Sequence, residues 1–218
     1  MFSFSKQTIK EMTDHCIAEN PNEACGVILG KTLLDQFKDI CVNKSSIDFK
    51  DILLDSHLVD DLKLTHSNIK KILTTLTNSA TQINVLDAKH LATVGDSMEF
   101  MYQNGGGDIA TSIVRITNTA KSPYRYQMDP QEFLDADKKA DRLGLSIVGF
   151  YHSHTHSAAY PSDTDVRLAI ESGWTDPYYI LISLEDMDAP VVRMYQINLD
   201  GSVIEKNYSL NGNPANLY

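Results

Sequence analysis

The run SIVGFYHSHTHSAAYPSDTDV, residues 146–166, limits the possible folds of this chain more than any other stretch. Residues 146–151 are apolar, rich in β-branched and aromatic types, and read as a buried strand that runs straight into His152, Ser153 and His154. Seven residues then lead to Ser162, and two more to Asp165, where a helix opens with Val166, Ala169 and Ile170 on its inner side. A strand has a period of two, so His152 and His154 point to the same face. Asp165, in the first turn of the following helix, can fold back toward the strand end. Two imidazoles and one carboxylate suit zinc (Zn2+) and leave a coordination position open. Each half also has a plainer explanation. An H-x-H on a strand occurs as ordinary hydrogen-bonded histidines, and Ser162 with Asp165 is a complete S-x-x-D capping box that needs no metal.

Other segments place this unit in an α/β context. Residues 5–19 carry Ile9, Met12, Cys16 and Ile17 on one helical face, and Asn20-Pro21-Asn22 breaks the pattern. ACGVILG then reads as a strand buried on both faces. Residues 110–119 read as a second strand. Asp129-Pro130-Gln131-Glu132 starts a helix whose inner stripe is Phe133, Ala136, Ala140 and Leu143, with Gly144 as the stop. Residues 178–184, 191–198 and 202–209 read as a closing meander. The expectation is one mixed α/β (α+β) domain over 1–218, built on a central sheet flanked by helices, with an inserted, mostly helical subregion at about 31–100.

Glu23 stands just ahead of the ACGVILG strand. A carboxylate there can act as general base toward a water, or serve as an ordinary solvated turn residue. Ser162 can donate a hydrogen bond to a developing oxyanion, or cap its helix. The formal net charge of -10 argues against a nucleic-acid or anionic-membrane surface, which needs clustered Lys and Arg. No stretch is apolar enough to span a bilayer, and MFSFSKQTIKEM lacks a signal peptide's apolar run, so a cytoplasmic location is expected. Three cysteines, Cys16, Cys25 and Cys41, at unremarkable spacing fit reduced thiols, and Cys25 reads as a buried structural residue before a nucleophile.

The set Glu23, His152, Ser153, His154, Ser162 and Asp165 resembles the signature of the JAMM (MPN+) metalloprotease family: a distant glutamate, then H-[ST]-H, seven residues, S, two residues, D. The flanking text, NEACGVILG, ITNTAKSPYRYQMDPQEF and YPSDTD, is similar to its prokaryotic branch, and the likeness covers about residues 8–30 and 109–200. The resemblance implies a cytidine-deaminase-like core, zinc held by His152, His154 and Asp165, Glu23 activating water, and Ser162 steadying the tetrahedral intermediate. It implies cleavage of a peptide or isopeptide bond at the extended C-terminal tail of a ubiquitin-like or sulfur-carrier protein. The alternative within the family is an assembly protein, for example among phage tail components, that keeps the metal site for structure. Where the family commonly has proline after the second histidine, this chain has Thr155-His156; His156 is open as a metal contact, a substrate contact or a loop residue.

Overall fold

The structure is a computed structural model, and it describes residues 2–32, 35, 107–210 and 213–214. The chain divides into two compact units, Met1–Thr32 with Asp108–Tyr218, and Leu33–Gly107. The expected helical subregion at 31–100 falls outside the described residues, except for Lys31, which ends a strand, Thr32 and Asp35.

The first unit is built on one mixed sheet. In chain order its elements are β1 (Phe2–Phe4), α1 (Lys6–Glu19), β2 (Cys25–Lys31), β3 (Ile109–Ile116), α2 (Pro130–Leu143), β4 (Ser146–His154), α3 (Asp163–Ser172), β5 (Tyr178–Ser183), β6 (Val191–Ile197), β7 (Val203–Lys206), β8 (Tyr208–Leu210) and β9 (Asn213–Pro214). The strand order is β7-β6-β5-β4-β2-β3-β1-β8-β9. β4 runs parallel to β5, and β1 parallel to both β3 and β8; the remaining neighbours are antiparallel.

Strand alternation divides the core between the two faces of the sheet. Ile28, Val148, Tyr151, Ile180 and Ile182 join Met12 and Cys16 of α1 on one face. Val27, Leu29, Phe150, Leu181 and Tyr195 join Ala136 and Ala140 of α2 and Ala169 of α3 on the other. Covered on both sides, β2 and β4 read as near-continuous apolar runs. His152 and His154 share the parity of Phe150, and so face the layer that carries α3.

The helix signals hold in detail. Ser5 caps α1, with its Oγ accepting from the Thr8 amide at 2.9 Å. Asp129 caps α2 by accepting from the amides of Gln131 and Glu132, and Gly144 at φ 61° closes it in the left-handed conformation that glycine adopts freely. A methyl group on Gly26 would collide with the Tyr151 ring and the Val114 carbonyl, so only glycine lets β2 lie this close to its neighbours.

Three expectations need correction, and one strand carried no expectation. Leu143 is 56% exposed: the α2 stripe holds through Ala140, and the chain turns away at Gly144 before another turn can pack. Phe2–Phe4, too short to carry a pattern, is a strand whose phenylalanines are both buried. The strand expected at 110–119 ends at Ile116, and Asn118 sits beyond it in an isolated bridge with Met128. Residues 202–209 form two strands, not one. Only Asn207 separates β7 from β8, yet these lie near opposite ends of the strand order. Adjacent Cα atoms are about 3.8 Å apart, so the sheet curls until its two ends approach.

Candidate metal centre

The site forms where the end of β4 meets the start of β2 and the first turn of α3. Cys25 pairs with His152 across the antiparallel β2–β4 ladder. Just beyond it, the Ser153 amide donates to the Ala24 carbonyl at 3.0 Å, and Ser153 Oγ accepts from the Ala24 amide at 2.8 Å. Glu23 is fixed by its own backbone as well. Its amide donates to the Ser122 carbonyl at 2.9 Å, and its carbonyl accepts from Asn118 Nδ2 at 2.8 Å. Glu23 is therefore held at its amide and its carbonyl, next to an Ala24 paired with Ser153, and is itself buried.

His152 Nε2 and His154 Nε2 face each other at 3.1 Å. Asp165 Oδ1 lies 3.4 Å from His152 Nε2, and Asp165 Oδ2 lies 3.5 Å from His154 Nε2. All three side chains are buried, and their ligand atoms lie within 4.8 Å of one another. A tetrahedral ion with ligand bonds of about 2.0–2.1 Å places its ligands about 3.3–3.5 Å apart, so these separations fit one metal ion. His154 Nδ1 donates to the Ala158 carbonyl at 2.9 Å, which leaves the Nε2 lone pair for the site. His152 Nδ1 is buried without a hydrogen-bond partner among the described residues. Tyr126 stacks on the His152 ring, with centroids 4.4 Å apart and planes at 30°.

Asp165 closes the capping box of α3 while facing the histidines. Its Oδ2 accepts from the Ser162 amide at 2.8 Å and from Ser162 Oγ at 2.6 Å, while Ser162 Oγ accepts from the Asp165 amide at 3.2 Å. The helix cap and the candidate metal ligand, alternatives in the sequence, are thus one carboxylate. Burial pushes its pKa up, but His152, His154 and Ser162 outweigh that and hold the carboxyl well below the usual range. Burial pulls His154 down, yet Asp165 and the Ala158 carbonyl leave it above its ordinary value. Burial raises Glu23, against the opposing pull of His152 and His154.

A cavity of about 290 Å³ opens onto the centre, lined among others by Glu23, His154, Ser162, Asp165, Tyr124, Arg125 and His156. His156 lies outside the three-ligand group; its exposed ring tilts against Tyr124 with centroids 5.7 Å apart. Burial pushes the Cys25 thiol up to about 12, and its Sγ contacts the Ile116 carbonyl at 3.4 Å, as a structural cysteine would. His15 is likewise committed, with Nδ1 2.9 Å from the Tyr151 hydroxyl. Sequence reasoning gave no role to Asn118 or Tyr126. The tyrosine carries no motif, and Asn118 showed its value only once its four hydrogen-bond partners were placed.

The family model described as prokaryotic homologs of the JAB domain matches residues 5–197. A CysO-cysteine peptidase of Mycobacterium tuberculosis is 38% identical over 101 residues, 46% of this chain and 66% of that protein. A probable TtuB-protein conjugate cleaving protease of Thermus thermophilus is 38% identical over 69 residues, 31% of this chain and 45% of that protein. A desampylase of Pyrococcus furiosus is 39% identical over 52 residues, 24% of this chain and 37% of that protein. The chain thus spans just under two thirds, or less, of the length of these relatives. The solution structure of protein DSY2949 from Desulfitobacterium hafniense has the same fold, with a TM-score of 0.56 at 24% identity, covering 96% of this chain and 92% of that one. With the family model extending over most of its length, this chain belongs to the prokaryotic JAB-domain family.

Proposed function

We propose that the protein is a zinc-dependent peptidase or isopeptidase that cleaves a peptide or isopeptide bond at the extended C-terminal tail of a ubiquitin-like or sulfur-carrier protein. The observation that carries this reading is the convergence of His152, His154 and Asp165 within one metal ion's reach, with Glu23 lining the same cavity. Three relatives, a CysO-cysteine peptidase, a probable TtuB-protein conjugate cleaving protease and a desampylase, suggest the substrate class. The reading assigns the activity to one domain over 1–218, with residues 31–100 as an insertion.

His152 Nε2, His154 Nε2 and Asp165 would hold the ion. When bound, zinc supplies Lewis-acid chemistry, polarising the scissile carbonyl and lowering the pKa of water to about 7. Glu23 takes a proton from the attacking water as its oxygen bonds to the carbonyl carbon, then delivers that proton to the departing nitrogen as the C–N bond breaks. A raised Glu23 pKa suits a group that must carry the proton between these two events. Ser162 Oγ donates to Asp165 Oδ2, so its service to an oxyanion would require that hydrogen bond to loosen. His154 is held by the Ala158 carbonyl and His152 by the Tyr126 ring, so the ligand pair is oriented before substrate arrives. No helix among the described residues is long and apolar enough to cross a membrane.

Glu23→Gln tests this reading. The variant is expected to keep zinc at one equivalent and to lose cleavage of a ubiquitin-like tail fusion by about 10²–10⁴-fold, the usual worth of a positioned acid–base group. Cleavage at the unaltered rate would refute the mechanism, and protein that takes up no zinc would refute the centre.

A further inference from the structure

Among the Lys and Arg residues described, only Arg125 lines the cavity over the candidate metal centre, where the carboxylates are Glu23 and Asp165 and the imidazoles His154 and His156. Several other cations of this acidic chain are paired: Lys10 with Asp14, Arg167 with Glu171, and Arg193 with Glu205. The exposed Arg125 side chain forms no ion pair among the described residues.

Its backbone, by contrast, is firmly anchored. Asn118 Nδ2 donates to the Arg125 carbonyl at 3.2 Å and to the Glu23 carbonyl at 2.8 Å. Asn118 Oδ1 accepts from the amides of Ala120 and Gln127, each at 3.0 Å. One side-chain amide therefore ties the segment bearing the proposed base to the segment bearing the arginine. Before Arg125, the Pro123 carbonyl accepts from Thr155 Oγ1 at 2.7 Å; after it, Tyr126 stacks on His152. The chain thus fixes the backbone of Arg125 relative to that of Glu23 while leaving the guanidinium donors free to reach a ligand.

We propose that Arg125 is the specificity residue for the leaving side of the scissile bond, and that it binds a free α-carboxylate there. This rests on the peptidase reading above and narrows it: the preferred substrate carries a single terminal amino acid beyond the cleaved amide. A guanidinium presents two parallel N–H donors that match a carboxylate. A lysine released from an isopeptide inside a protein has its carboxyl group in a peptide bond and offers no such charge. At about 290 Å³ the cavity lies at the small end of ligand pockets, which suits a terminal residue more than a folded leaving group. In the reaction the water oxygen bonds to the carbonyl carbon and the C–N bond breaks. The proton carried by Glu23 passes to that nitrogen, and the products are a tail carboxylate and a free amino acid.

The test uses two tail peptides that extend one residue past the scissile bond and differ only in ending as carboxylate or carboxamide. With zinc-loaded protein, kcat/KM is expected to favour the carboxylate by about ten- to hundredfold, the scale of a lost charge-assisted pair. In Arg125→Gln that ratio is expected to fall to about one, with Arg125→Lys between. A ratio near one in the unaltered protein, or one that Arg125→Gln leaves in place, overturns the proposal. Binding of the same peptides to zinc-loaded Glu23→Gln, measured by calorimetry, gives a readout without turnover. Should the unaltered protein cleave neither peptide, the peptidase reading fails, and this binding pair still decides the role of Arg125. Tighter binding of the carboxylate form, abolished by adding Arg125→Gln, sustains it; equal binding refutes it.

Discussion

Replacing Asp165 with alanine separates the capping role of its carboxylate from the proposed metal-binding role, because the two respond to different additions. In metal-free protein the loss is that of a capping box: the Ser162 amide and hydroxyl lose their acceptor, while Ser162 Oγ still accepts from the backbone at position 165. That costs about 1 kcal/mol. The metal term is separate and larger. With zinc at 100 times the dissociation constant, the unaltered protein gains about 2.7 kcal/mol. Loss of a ligand that weakens affinity about 100-fold leaves the variant a gain of about 0.4 kcal/mol at the same zinc concentration. For a chain of this size 1 kcal/mol shifts Tm by about 2–4 °C, so zinc raises Tm by about 5–11 °C in the unaltered protein and by about 1–2 °C in the variant. The assay is thermal unfolding of chelator-treated protein with and without added zinc. The readout is the zinc-induced shift within each protein, which is compared between the unaltered protein and the variant at one pH. A zinc-induced shift as large in Asp165→Ala as in the unaltered protein would refute the assignment of Asp165 as a ligand and leave it a helix cap.

The electrostatics of the metal-free centre make a second expectation. Asp165 has a depressed pKa, so its contribution is present above the unfolded value of about 3.9 and fades as pH falls below it. His154 has a raised pKa, so its contribution is complete below about 6.5 and is lost as pH rises through the folded value. Stability of chelated protein should therefore fall from slightly acid to slightly alkaline pH, with the fall abolished in Asp165→Asn; a flat Tm profile in the unaltered protein would count against the buried pair. Tyr126→Ala removes the ring stacked on His152, and at about 0.5–1.5 kcal/mol for such a pair should weaken zinc binding by roughly two- to tenfold. Competition with a fluorescent chelator measures this, and unchanged affinity would show that the ring does not help hold the imidazole.

Local signals carried much of the fold and most of the centre. The strand into His152 and His154, and the capped helix beginning at Ser162, are both encoded within twenty-one consecutive residues, so period and capping chemistry sufficed to bring Asp165 back to the imidazoles. Glu23 was visible as a carboxylate just ahead of a buried strand and as the distant glutamate of a family signature, but not in its placement, because what fixes it is long-range: Ser122, Asn118 and Ser153 lie 95 to 130 positions away. Tyr126 and Arg125 were missed for the same reason, since their places depend on the side chain of Asn118 and on a loop without a periodic pattern. The Phe2–Phe4 strand and the division at Asn207 follow from the curling of the sheet, a property of how strands pair that no single segment contains.

The central claim is that His152, His154 and Asp165 hold one zinc ion beside Glu23. Anomalous diffraction at the zinc edge, from crystals of protein loaded with one equivalent of zinc, tests it most directly. A single peak is expected about 2.0–2.2 Å from His152 Nε2, His154 Nε2 and an Asp165 oxygen. A peak at a cysteine or on the surface, with none between these three side chains, would contradict it.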